Sequence, residues 1–144
     1  MFKKKRFIFV LASILLVLGA CNKVKTKDVD KTITEGKWRV SHFSEDGVDE
    51  TYHFSGYEFT FSDNGNVQAV GQSGTINGTW STTEDSSNDD SSSDVDLILN
   101  FPATNDFDEL SDDWDVLSQS KDKIELQDIS GGDGSIDKLT FERI

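Results

Sequence analysis

The sequence holds one cysteine, one proline and two histidines in 144 residues. A single cysteine forms no intrachain disulfide, so the fold has to stand on its hydrophobic core. His42 and His53 flank a turn and could face each other, but a typical metal site needs three or four ligands. No further ligand stands in a matching pattern, so no metal is expected there. Positive charge is scarce: 14 Lys and Arg oppose 27 Asp and Glu, a net charge of −13. That excludes nucleic acid as a partner, because such binding rests on basic patches. Long apolar runs are missing too. The run from Phe7 to Leu18 is about a dozen residues, whereas a membrane-spanning helix needs roughly 20. There is no G-x-S-x-G elbow and no metal-ligand helix. Carboxylates are too plentiful for any pair to mark acid–base work. The chain is therefore expected to be neither an enzyme nor a cofactor protein.

What is present begins at the N-terminus. Lys3, Lys4, Lys5 and Arg6 precede the apolar run, and Leu18-Gly19-Ala20-Cys21 follows. Cations, a short apolar stretch and small residues before a cleavage point make a secretory signal. With the lipobox-like ending, the segment resembles the signal of bacterial lipoproteins, cleaved before Cys21. The resemblance implies a signal peptide at 1–20, a lipidated tether at 21–35 and a domain at 36–144. Four of the 14 cations lie in the signal, leaving 10 against all 27 acids, a mature charge of −17. An acidic chain has no polybasic hold on lipid. Membrane attachment is expected through acyl chains on Cys21, two or more of which anchor stably. Asn22 in place of Asp gives no inner-membrane retention signal. Lys23, Lys25 and Lys27 stand where surface-exposed lipoproteins often carry an acidic run. The expected location is the periplasmic face of the outer membrane.

From Gly36 onward the pattern is of short strands between turn signals. Lys37 to Phe43 is the first, with Trp38, Val40 and His42 on one face. Glu45-Asp46-Gly47 turns the chain. Tyr52 to Phe61 is aromatic-rich and changes parity near Gly56, which predicts a bulge there. Asp63-Asn64-Gly65-Asn66 is a hairpin signal. Strands follow at Val67–Val70 and Thr75–Trp80. Residues 82–94 are a Ser/Asp/Asn run that buries too little apolar surface to order itself. Val95, Leu97, Leu99 and Phe101 alternate cleanly. Asp106 to Glu109 reads as a capping box opening a short helix that carries Phe107 and Leu110. Further strands are expected at Trp114–Leu117, Lys123–Asp128 and Lys138–Ile144. About eight strands with short turns and no long crossovers make an all-β, antiparallel up-and-down meander. Closure into a barrel removes its edges; a two-sheet sandwich is the alternative.

Gly36-Lys37-Trp38 at the first strand resembles the Gly-x-Trp motif of lipocalins and their calycin relatives. The resemblance implies that Trp38 closes one barrel end and that an Arg near the chain's end packs across it. Arg143 shares parity with Leu139 and Phe141, and stacking on Trp38 would rationalise an inward guanidinium. Gly56-Tyr57-Glu58-Phe59-Thr60-Phe61, Gly78-Thr79-Trp80, Leu110-Ser111-Asp112-Asp113-Trp114 and Ile129-Ser130-Gly131-Gly132 are similar to the small lipocalin-like lipoproteins of Bacteroidota. That implies a lipocalin-like barrel and carries over no binding residues.

Two functions fit this reading. In one, a monomeric barrel holds a small apolar ligand among Phe54, Tyr57, Phe59, Phe61, Trp80 and Phe101, which an eight-stranded barrel can equally use as filling. In the other, an envelope interaction or inhibitor protein engages a partner through its acidic and Gly-rich loops. Asp85, Asp89, Asp90 and Asp94 supply hard oxygens of the kind Ca²⁺ takes, but without EF-hand spacing, so only weak cation binding is expected of them.

Overall fold

The computed structural model describes residues 23–84, 95–103, 105–129, 132 and 134–144. Its strands are β1 (Trp38–Glu45), β2 (Val48–Asp49), β3 (Glu58–Phe61), β4 (Asn66–Gly71), β5 (Gly74–Glu84), β6 (Val95–Asn100), β7 (Asp113–Gln119), β8 (Lys123–Ile129) and β9 (Ile136–Arg143). All pairings are antiparallel. From β3 to β9 each strand pairs with the next, and β9 returns to pair with β1 from Trp38↔Arg143 to Ser44↔Lys138. β2 is a two-residue spur on the end of β1. The result is a closed eight-stranded barrel, and the closing ladder excludes the sandwich.

Turn chemistry and alternation explain most of this. Asp46 and Gly47 both have positive φ, 49° and 79°. They sit between the paired residues Glu45 and Val48, where a two-residue hairpin demands that conformation. Val67 and Ala69 of β4, Val95, Leu97 and Leu99 of β6, Ile124 and Leu126 of β8, and Leu139 and Phe141 of β9 are all buried, every second residue as the pleat requires.

Three expectations need correction. First, the β1–β9 register shifts between Val40 and His42. The extra residue, Ser41, switches the parity of the strand. Phe43 therefore turns inward at 1% exposure, and His42 does not continue the face of Trp38 and Val40.

Second, the stretch read as one strand from Tyr52 to Phe61 is split. Thr51–Phe54 forms a 3-10 helix, and Gly56, at φ 81°, turns the chain into β3. The Thr51 hydroxyl accepts from the Phe43 amide at 2.9 Å, and Phe54 packs edge-on against Phe43 with centroids 5.2 Å apart. These tertiary partners outweigh the strand preference of the aromatic residues.

Third, residues 26–33 are not tether. They form α1 (Thr26–Ile33), with Val29 and Ile33 fully buried and Thr32 buried beside them. Apolar residues four apart share one helix face, and here that face meets the barrel. The Thr82 hydroxyl of β5 donates to Asp30 of α1 at 2.6 Å. The folded domain thus includes residues assigned above to 21–35. The short helix expected near Asp106 is a 3-10 helix, Asn105–Leu110, that buries Phe107 and Leu110.

Candidate functional site

At one barrel end, Trp38 is wholly buried and its indole N–H donates to the Ile33 carbonyl at 2.8 Å. The guanidinium carbon of Arg143 stands 4.7 Å from the centroid of the Trp38 ring, well within cation–π range. Arg143 donates from Nε to the Lys121 carbonyl at 2.7 Å, from Nη2 to the Thr32 carbonyl at 3.2 Å and from Nη1 to the Glu35 carbonyl. Gly36 is required here. Its φ is 84°, and a Cβ on it would lie 3.1 Å from Arg143 Nη1. Trp38 and Arg143 are thus committed to closing this end of the barrel.

The six aromatic residues expected around a cavity are brought together, but as packing. Phe54, Phe59, Phe61 and Phe101 are at most 3% exposed, Trp80 is buried and Tyr57 is half-buried. Phe107 is their hub: its ring centroid lies 4.9 Å from Tyr57, 5.4 Å from Phe101, 5.5 Å from Phe54 and 6.0 Å from Phe59. Phe61 and Trp80 meet edge-on at 5.9 Å. Gly78 on β5 makes room for this cluster, since a Cβ there would fall 2.7 Å from the Phe101 ring. Edge-to-face pairs of this kind add about 0.5–1.5 kcal/mol beyond area burial. The second 3-10 helix, by inserting Phe107, turns the expected cavity lining into core.

Beside Phe54 and Phe107 the two 3-10 helices meet at a polar cluster that sequence reasoning missed. Glu50 precedes the first of these helices and His53 lies within it; Asp106 and Glu109 lie on the second. His53 Nδ1 is 3.3 Å from Glu109 Oε2 and 3.8 Å from Asp106 Oδ2. One ligand atom each from Glu50, His53 and Glu109 falls within 4.8 Å of the others, and all three side chains are partly buried. In a 3-10 helix residues three apart eclipse one another. Glu50 with His53, and Asp106 with Glu109, have that spacing, which was legible only once both segments were known to be 3-10. His42 does not join His53. It acts on Asp49, whose carboxyl Thr51 holds below its ordinary range by hydrogen bonds from its hydroxyl and its amide, His42 adding to the effect. Negative charge continues outward from the cluster. Partial desolvation pushes the carboxyl of the exposed Glu45 up, and Asp137, Glu109, Glu50 and Asp46 push it further.

A hollow of about 260 Å³ opens between β1 and the first 3-10 helix, lined by Arg39, Val40, Thr51, Tyr52, Phe54, Ser55 and Gly56. It borders the seam where β1 and β3 share the single pair Trp38↔Phe59. Cys21 and the acidic residues Asp85, Asp89, Asp90 and Asp94 lie outside the described residues.

No family model matches the chain, and no curated protein matches it. Among solved structures it is similar to a DUF4847 family protein from Bacteroides vulgatus. The TM-score is 0.50 at 16% identity, covering 81% of this chain and 97% of that one. At that identity the likeness bears on the fold. It is compatible with a lipocalin-like barrel.

Proposed function

We propose that the chain is a lipid-anchored cell-envelope protein that uses its barrel as a filled scaffold and engages a protein partner through its loops. It is an interaction or inhibitor module, monomeric and without catalytic activity. The observation that supports this reading is the ring cluster centred on Phe107. An interior occupied by its own side chains leaves recognition to the outer surface. The acidic run at 85–94 and the Gly-rich segment at 130–135 are the sequence segments assigned to it. The anchor rests on the lipobox-like sequence before Cys21, and the periplasmic face of the outer membrane is the location that goes with it.

The test compares the full chain, tagged at its C-terminus and extracted from envelopes in detergent, with a variant whose residues 85–94 are replaced by ten Gly and Ser residues. Glu84 of β5 pairs with Val95 of β6, so the replacement keeps the connection that the hairpin needs and removes the acidic side chains. A protein recovered with the intact chain and lost with the replacement supports the reading. No protein recovered with either form, or equal recovery with both, contradicts it.

A small apolar ligand is the second reading, and one observation favours it. The β1–β3 seam holds one residue pair, and the hollow beside it includes Val40, Tyr52 and Phe54. A ligand would then sit at the seam and not in the barrel interior.

A further inference from the structure

We propose that Glu50, His53 and Glu109 bind a divalent transition-metal ion, with the Asp106 carboxylate beside it but outside the ligand set, and that the ion ties together the two 3-10 helices at this end of the barrel. The proposal is independent of the anchor and of the partner. It starts from the donor set. Imidazole nitrogen and carboxylate oxygen are both Zn²⁺ ligands, and three protein ligands leave a fourth position for water. A carboxylate-only set would suit Ca²⁺ or Mg²⁺; the imidazole shifts the preference to Zn²⁺ and its first-row neighbours.

Geometry supports the assignment. Ligands 2.0–2.1 Å from a tetrahedral ion stand about 3.3 Å apart. His53 Nδ1 and Glu109 Oε2 are already 3.3 Å apart, and the Glu50 ligand atom lies within 4.8 Å of both. Glutamate has the side-chain torsions to close the remainder. The supports are fixed. The Glu50 amide donates to the Phe43 carbonyl at 3.0 Å, and the His53 amide donates to the Glu50 carbonyl at 3.1 Å. The His53 ring lies between Tyr52, at 4.2 Å, and Phe54, at 6.2 Å, and its side chain is 17% exposed. On the other side Phe107 and Leu110 fasten the second 3-10 helix into the core. The ion would therefore meet preset ligands from two segments that are 56 residues apart at His53 and Glu109.

Without metal, the alternative is a hydrogen bond or ion pair between His53 and Glu109, which is what the experiment has to separate.

The experiment titrates the full chain, in detergent and freed of metal by chelator, with Zn²⁺. The expected result is one ion per chain, a rise in Tm that EDTA reverses, and no comparable rise with Ca²⁺. Glu109→Gln keeps size and shape and should weaken Zn²⁺ binding by about tenfold or more, the least expected when a ligand is lost. His53→Ala should do the same. Asp85→Asn with Asp89→Asn, in the acidic run, should leave affinity unchanged. Co²⁺ should give visible absorption of a four-coordinate ion in the wild-type chain and lose it in Glu109→Gln, provided circular dichroism shows that variant folded. Failure of Zn²⁺ to bind, or binding unaltered by both ligand variants, would overturn the proposal.

Discussion

Arg143 lies directly opposite Trp38 in the β1–β9 ladder, and its guanidinium covers the indole at 4.7 Å. The pair stands at the point where the barrel closes, so one contact joins the first strand, the last strand and α1. Its three backbone acceptors come from Thr32, Glu35 and Lys121. Glu35 and Asp122 carboxylates stand farther off, at 4.0 and 3.7 Å, and more exposed, so they add little.

Arg143→Ala should therefore destabilise the chain by about 1–3 kcal/mol, through loss of the cation–π contact and of hydrogen bonds from a guanidinium that water partly reaches. Arg143→Lys should recover only part of it, because a point charge cannot reach three divergent carbonyls while stacking. Denaturant midpoints of the three forms measure this. A loss below about 0.5 kcal/mol in Arg143→Ala, the range of an ordinary surface change, would mean the side chain is free.

Phe107→Ala should cost about 3–5 kcal/mol, as large-to-small changes in a packed core do. The void it leaves would be apolar and dry, and such voids bind benzene or xenon. Thermal unfolding in the presence and absence of benzene is the check: benzene should stabilise Phe107→Ala and leave the wild-type chain unchanged.

Glu45 gives a pH dependence with a definite sign. Its carboxyl is raised above the ordinary value near 4.5, by partial desolvation first and by Asp137, Glu109, Glu50 and Asp46 after it. The folded state thus holds this proton better than the unfolded chain does. The associated stability is fully present below the ordinary value and is lost as pH rises through the raised one. Glu45→Gln should melt higher than wild type at pH 7, and the gap should close as pH falls below about 4.5. A gap that persists in acid would assign the effect to something other than charge.

Cys21→Ser should abolish incorporation of labelled fatty acid and leave an unprocessed or mislocalised protein. Label at wild-type level in the variant would refute the anchor.

Much of the barrel could be read before any coordinates. The Asp46-Gly47 turn and the alternation of Val95, Leu97 and Leu99 follow from local chemistry, and Trp38 with Arg143 from the resemblance carried by Gly36-Lys37-Trp38. What escaped had causes elsewhere in the fold. Ser41 carries no mark of a bulge, yet one extra residue there exchanges Phe43 for His42 on the inner face. α1 has Val29 and Ile33 as its buried apolar residues, and in isolation so short a polar helix is marginal; the barrel end supplies its stability. The first 3-10 helix exists because Thr51 and Phe54 find partners on β1 and in the second 3-10 helix. The cluster at His53 was invisible for the same reason. Its ligands come from two segments distant in sequence, each needing a 3-10 turn to bring residues three apart onto one side.

The claim at the centre of this account is that the barrel interior is a filled core. Titration of the wild-type full chain with a fluorescent fatty-acid analogue, above its background partitioning into detergent, tests it most directly. A packed interior predicts no saturable binding. Saturable binding of one probe per chain, competed by unlabelled fatty acid and lost when Phe59 or Phe101 is changed to Trp, would contradict it.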